Sequence, residues 1–340
     1  MEYTILFTSK NNYDLLENWI SKYASYELPD IINLDLGSEK QQVKKGKRIC
    51  SQYSIKYIEA QRTEFQHNIY QIFTNSKDTL NNYLLYLHQD CFPESELTFK
   101  KIDDCIIKND LTKFGCIGFN NYHDIEISHY DSKHHKYMTT SRCVLQKGNG
   151  YYMRYPYGSK VNYDKFDFNK PFSVENVMWT SLLISKKSFL ENIKVDLDFN
   201  FFLSPDDLAY QFLSKGIHNM VFPHINFIHD QSVKTKYKLP KDSPLGKIDE
   251  VEARYGRLKD INRIWKKKWG FTYDPTKQIS FFNNRYVKFF MLTFFKNIYI
   301  NLETKSRFQF DKCGEKPGLF NMYYNHDPMN GPLKYFNLDT

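Results

Sequence analysis

Paired cysteines, glycine fingerprints and long apolar runs are all missing from this sequence, and each absence removes a class of protein. The six cysteines, Cys50, Cys91, Cys105, Cys116, Cys143 and Cys313, form no CxxC pair and no zinc-ribbon spacing. That pattern excludes a disulfide scaffold and a structural zinc module, and the thiols read as reduced. No glycine fingerprint follows the first apolar run, which continues as "FTSKNNYD", so pyrophosphate has no close approach to a helix there. A phosphate-binding P-loop is also lacking, as is the GxSxG elbow of a serine hydrolase. No stretch is long and apolar enough to span a bilayer, and the opening "MEYTILFTSKNNYDLL" offers no basic leader. The expectation is a cytoplasmic protein.

What is present begins with charge and aromatics. The 47 basic and 39 acidic residues leave a net charge of +8, which favours anionic partners without choosing among nucleotides, phosphates, nucleic acid or an acidic membrane surface. Hydrophobic residues make up 41% of 340, enough for one large domain or two modest ones. Aromatics reach 17%, which suits stacking surfaces but also follows from a lysine- and asparagine-rich composition.

Short β-rich runs at 3–9, 30–38, 55–61 and 81–90 alternate with helical patterns. Over 13–24, Leu15, Leu16, Trp19, Ile20 and Tyr23 share one helical face, and Phe65, Ile69, Ile72 and Phe73 do so over 64–76. The alternation predicts βαβ units and a mostly parallel, Rossmann-like sheet flanked by helices. Ligands in such sheets bind where strands end at their carboxyl edges. Residues 118–170 are polar, tyrosine-rich and aperiodic, predicting a long loop or lid with one hairpin. Further strands are expected at 175–185 and 218–232. A helix is expected over 204–216, with Ser204 as cap, Pro205 in its first turn and Gly216 at its end. Helices are also expected over 249–270 and 283–301.

Carboxylates and a histidine recur at these element ends: "DLGS" at 35–38, "HQD" at 88–90, "PDDL" at 205–208 and "FIHD" at 227–230. Their order resembles that of GT-A fold glycosyltransferases of the family-2 type, with "HQD" as a variant of DxD and Asp206 in place of the usual glutamate. The resemblance covers about residues 3–232. It implies a GT-A domain over 1–235, with a nucleotide-sugar-binding half (1–117) and an acceptor-side half (118–235), and a mainly helical C-terminal extension over 236–340.

The resemblance implies an inverting, metal-dependent transfer of a sugar from a nucleotide donor to an acceptor hydroxyl, in polysaccharide or glycan assembly. Asp90 and His229 would hold a divalent ion, Mn2+ or Mg2+, with His88 beside them. A softer ligand set favours manganese. Asp35, Gly37, Ser38, His88, Gln89 and Asp90 would contact the nucleotide-sugar. Asp207 would be the general base and Asp206 its support. Each of these residues also has a plain structural reading: Asp35 and Asp90 as turn residues, Asp206 and Asp207 as charges at a helix start, His229 as a buried histidine.

UDP- or GDP-linked sugars are the expected donors, and a glycan or lipid-linked molecule the expected acceptor. Lys40, Lys44 and Arg48 are candidates for holding the diphosphate, and Tyr151, Tyr152, Tyr155 and Tyr157 for stacking on acceptor sugars. His129, His134 and His135 read as solvated surface residues rather than a metal site. Aromatics over 286–300 beside the lysines of "WKKKW" (265–269) leave open a peripheral membrane contact or a homodimer through 262–301. The competing reading is a non-catalytic module on a degenerate GT-A fold that binds nucleic acid or glycan. Nucleic acid is not expected, because no recognised motif for it occurs.

Overall fold

The computed structural model describes residues 1–75, 81–123, 137–140, 143–146, 151–154, 160–162, 170–174, 177, 179–199, 204–230, 263–265, 267–269, 290, 293–294 and 336–339. The chain opens with β1 (Tyr3–Ser9), α1 (Tyr13–Tyr23), β2 (Ile31–Asp35), α2 (Lys40–Gln52), β3 (Lys56–Glu59), α3 (Phe65–Asn75) and β4 (Tyr83–Leu87). Each helix returns the chain to the start of the next strand, so β3, β2, β1 and β4 lie parallel in that order.

The middle of the chain adds β5 (Cys91–Pro93), α4 (Leu97–Lys108) and β6 (Cys116–His123). Later come β11 (Phe172–Val174), β12 (Ser181–Ser185), α5 (Lys186–Asn192), α6 (Ser204–Ser214) and β13 (Asn219–His229). β12 runs antiparallel between β4 and β6, and β13 runs parallel to β6. Two reversals restore direction, so β13 and β4 present their carboxyl ends at the same edge. The α/β architecture expected from the sequence is therefore present, with a parallel half and a largely antiparallel continuation. β6 crosses the 117/118 boundary, so one sheet joins the two halves.

Alternation along the strands builds two cores, one on each face. In β1, Tyr3, Ile5 and Phe7 pack with α1 and α4, while Leu6 packs on the other face with α3, α5 and α6. In β4, Tyr83, Leu85 and Leu87 join the first core and Leu84 and Tyr86 the second. Both faces are covered, which explains why β4 reads as an unbroken apolar run.

The stretch 118–170 departs from its expectation of a lid with one hairpin. Its described parts are the end of β6 and four short strands, β7 (Tyr137–Thr140), β8 (Cys143–Gln146), β9 (Tyr151–Arg154) and β10 (Lys160–Asn162). These pair antiparallel in sequence order and extend the sheet outward from β6. Backbone pairing tolerates polar and tyrosine-rich strands, which lack the hydrophobic period of a buried one. Of the strand expected over 175–185, residues 181–185 form β12 and Thr180 lies in a turn, while 175, 176 and 178 lie outside the described residues. Tyr151 and Tyr152 fall on β9, but their side chains, like Tyr155, Tyr157, His129, His134 and His135, lie outside the described residues.

Of the expected C-terminal helices, 263–265 and 267–269 are helical, as are 290 and 293–294. The remainder of 249–270 and 283–301 lies outside the described residues. Residues 336–339 return to the main body, where Phe336 packs edge-on against Phe114 at 4.8 Å and Asn109 exchanges hydrogen bonds with the Asp339 backbone. Cys50, Cys91, Cys105 and Cys116 are buried and form no disulfide among the described residues, and burial pushes the Cys50 thiol pKa up to about 12.

Candidate active site and metal centre

The "HQD" triplet begins where β4 ends. His88 opens the turn and is anchored on the neighbouring strand: its carbonyl accepts from Cys91 N–H at 3.0 Å, and its N–H donates to the Thr180 carbonyl at 2.9 Å. The chain thereby reverses into β5, which pairs antiparallel with the end of β13 and sets His229 opposite Cys91. Asp230 N–H then donates to the Asp90 carbonyl at 2.8 Å. Two segments about 140 residues apart are thus locked by backbone bonds alone.

This locking brings three side chains together. Asp90 has no solvent exposure and lies between two imidazoles, with His229 Nε2 at 3.3 Å from Oδ2 and His88 Nδ1 at 3.7 Å from Oδ1. One ligand atom from each lies within 4.8 Å of the others. Donors held about 2.1 Å from one ion stand about 3.0–3.4 Å apart in octahedral or tetrahedral arrangements, so these spacings fit a shared cation with small adjustment. A carboxylate with two imidazole nitrogens suits manganese, iron or zinc better than magnesium. A fully buried carboxylate also needs a cationic neighbour to offset its lost hydration. The Trp179 and His88 rings meet in a T-shaped contact with centroids 4.7 Å apart, which walls this side of the site.

Gln89 turns the other way. It is 2% exposed, and its amide donates to Ser9 Oγ at 2.6 Å and to the Thr8 carbonyl at 3.3 Å while accepting from Asn12 Nδ2 at 2.8 Å. Ser9 Oγ donates onward to Asn33 Oδ1 at 2.6 Å, and Asn33 Nδ2 reaches the Tyr13 hydroxyl at 3.4 Å. Tyr13 donates to Asp35 Oδ2. A buried polar chain therefore ties the ends of β4, β1 and β2 into one edge. The Gln89 amide is held within that scaffold.

Asp35 ends β2 and is 2% exposed. Its Oδ1 accepts from Gly37 N–H at 2.8 Å and Ser38 N–H at 2.7 Å, which is possible because Gly37 adopts a φ of 84°. Its Oδ2 accepts from Tyr13 and, at 3.0 Å, from Tyr57. Burial alone raises its pKa, but the hydrogen bonds from Tyr13, Ser38 and Tyr57 outweigh that and hold it below the usual carboxylate range. Asn11 closes the same corner: its N–H donates to Ser38 Oγ at 2.9 Å and its Oδ1 accepts from Glu39 N–H at 2.8 Å. Gly46 is needed behind Tyr13, since a Cβ there would lie 2.3 Å from the tyrosine ring. Asp35 builds the turn at this edge and leaves Gly37 exposed at its surface.

Asp206 and Asp207 lie in the first turn of α6, as their sequence position predicts. Asp207 is fully buried rather than open to an acceptor. Its Oδ2 accepts from Gln66 at 2.9 Å, Gln211 at 2.8 Å and Lys268 at 2.8 Å, and its Oδ1 from Trp269 Nε1 at 2.8 Å. Lys268 also bonds Asp196 at 2.7 Å. Trp265 and Trp269 pack against Tyr210 of α6 at 5.0 and 5.7 Å. "WKKKW" is therefore a docked segment: its two tryptophans, four residues apart, share the buried face. That i, i+4 spacing was the signal in the sequence, and the lysines between them masked it.

Lys40, Lys44 and Arg48 form an exposed stripe on α2, and Arg48 reaches Glu17 of α1 at 3.4 Å. Tyr13, Tyr57, Ser9, Asn12, Asn33 and Gln66, none of them marked by a motif, supply the supporting bonds.

No protein-family model matches the chain, and no curated protein sequence matches it either. Among solved structures it is similar to S. aureus TarS, with 9% identity and a TM-score of 0.46 over 94% of this chain and 54% of that one. It is also similar to GalNAc-T7 crystallised with UDP, GalNAc and Mn2+, with 11% identity and a TM-score of 0.41 over 67% of this chain. A third is glucosyl-3-phosphoglycerate synthase from Mycobacterium tuberculosis with Mn2+, UDP and glucosyl-3-phosphoglycerate, with 9% identity and a TM-score of 0.26 over 36% of this chain. The chain spans less than half the length of GalNAc-T7, at 43%. At these identities and scores, function has to be argued from the site's own geometry.

Proposed function

We propose that the chain is a GT-A fold glycosyltransferase that moves a sugar from a nucleoside-diphosphate donor, UDP- or GDP-linked, to an acceptor hydroxyl in glycan or polysaccharide assembly. The observation that carries the reading is the cluster of His88, Asp90 and His229 at the carboxyl edge of a parallel sheet, where two strands distant in sequence converge. The "HQD" and "FIHD" motifs, which resemble those of family-2 transferases, supply this cluster.

In this reading Asp90 and His229, with His88 beside them, hold a divalent ion. When bound, the ion supplies a charge that neutralises the departing diphosphate without proton transfer. The chain's own residues do the rest. The Asp35 turn shapes the nucleoside side and presents Gly37 and Ser38. Gln89 fixes the triplet so that His88 and Asp90 share one orientation. Transfer is read as a single in-line displacement with inversion. Asp207 takes the acceptor proton only when Lys268 and Trp269 release its oxygens, and Asp206 supports it from the same helical turn. Among the described residues, no helix is long and apolar enough to cross a membrane. A peripheral contact or homodimer through 262–301 remains part of the proposal only as a surface to be tested by flotation and by sedimentation.

Proton NMR of a panel of nucleotide-sugars incubated with protein and Mn2+ tests the reading. One donor should lose its sugar with release of the nucleoside diphosphate and an inverted anomeric signal, and Asp90→Asn should abolish the reaction. Retention of configuration would remove the inverting assignment. Absence of turnover with every donor, with and without candidate glycans, would contradict the transferase reading.

A further inference from the structure

A cavity of about 780 Å³ opens between residues 194–198, Gln211 of α6 and the docked segment 263–268. Its size falls in the range of small-molecule sites. None of the cluster residues lines it. Four cations do: Lys194, Arg263, Lys267 and Lys268, against Asp196 and Asp198.

These charges have different duties. Lys268 is fixed between Asp196 and the buried Asp207, and its ammonium lies 5.2 Å from the Phe199 ring centre. Lys194, Arg263 and Lys267 are exposed side chains and make no ion pair shown among the described residues. Concave walls with surplus positive charge concentrate anions. A guanidinium beside two ammonium groups matches the oxygens of a phosphate better than a single carboxylate. Gln211 and Lys268 line the cavity and also hold Asp207, so an anion here lies next to the proposed proton acceptor and away from the metal ligands.

We infer that this cavity binds a phosphate group carried by the acceptor. The inference rests on the transferase reading and deepens it by naming an acidic, phosphate-bearing acceptor class. A small monoester and a diester within a longer chain present the same phosphate chemistry to this pocket.

Calorimetric titration in metal-free, low-salt buffer tests the pocket, with glycerol 3-phosphate as the monoester probe and glycerophosphoglycerol as the diester probe. Wild type should bind at least one of them, and R263Q/K267Q should bind it about tenfold more weakly, as expected for losing charged hydrogen bonds. R263K/K267R should retain most of the affinity, and UDP with Mn2+ should bind the glutamine variant unchanged. Binding of the monoester alone assigns a small phosphorylated acceptor, and binding of the diester assigns a phosphate inside a chain. Failure of both probes, or equal binding by R263Q/K267Q, overturns the pocket while leaving UDP and Mn2+ binding to stand. Phosphate binding without any UDP and Mn2+ binding overturns the acceptor assignment together with the transferase reading.

Discussion

Gln89 donates to Ser9 at 2.6 Å, joining the end of β4 to the end of β1 beneath the candidate metal centre. The middle residue of the "HQD" triplet is consequently inside the protein while its neighbours His88 and Asp90 face His229. One member of the triplet is thus a bolt, and the other two are candidate metal ligands.

Replacing Gln89 with Ala removes that bolt and strands Ser9 and Asn12 in a buried setting. The expected cost is about 1–3 kcal/mol, from polar groups left without partners. Manganese affinity should fall about 10- to 100-fold, the range for residues that orient metal ligands. Chemical denaturation and manganese titration by calorimetry check the two effects. Unchanged metal affinity in a destabilised variant would show that the bolt does not position the ligands.

Lys268 and Asp207 form the second relationship that can be tested directly. Lys268→Gln leaves the fully buried Asp207 with one charged donor fewer, at an expected cost of about 1.5–3 kcal/mol. Adding Asp207→Asn should recover part of that loss, since the remaining partners then surround a neutral group. A double-mutant cycle on unfolding midpoints measures the coupling. Additive losses would mean that the two side chains do not interact in solution.

Stability should also respond to pH through His224 on β13. Burial, and then the charge of Lys101, depress its pKa from the ordinary value to about 4. Between about 6.5 and about 4 the unfolded chain therefore binds a proton that the folded chain does not, so folding stability falls as pH drops through that window. His224→Gln should flatten this part of the profile. Asp35 acts at lower pH: its depressed pKa gives stability that is present above the unfolded carboxylate value and is lost as pH falls further. An unchanged slope between pH 6.5 and 4 in His224→Gln would contradict the assignment.

Much of the edge was legible in the sequence because its candidate metal ligands sit at strand ends. Runs 3–9 and 81–90 announced β1 and β4, and the stripe of Leu15, Leu16, Trp19, Ile20 and Tyr23 announced α1. Helix α2 lay outside the expectations because only Gly46, Ile49 and Cys50 of its 13 residues are buried, too few to set a period. Helix α4 carries a fuller pattern in Phe99, Ile102, Cys105 and Ile106 that the strand-centred reading passed over. The polar network beneath the site could not be read, because Ser9 and Tyr13, Asn33, and Gln89 come from three separated segments and no residue alone announces the bonds among them. The enclosure of Asp207 was hidden for the same reason: Lys268 arrives from 61 residues downstream.

The most direct test of the account is calorimetric titration of Mn2+, followed by UDP and GDP, into wild type and Asp90→Asn. The account predicts that wild type binds manganese, that one nucleotide then binds only in its presence, and that Asp90→Asn loses both while keeping a native fold by circular dichroism. Metal-independent nucleotide binding, or equal manganese binding by Asp90→Asn, would contradict it.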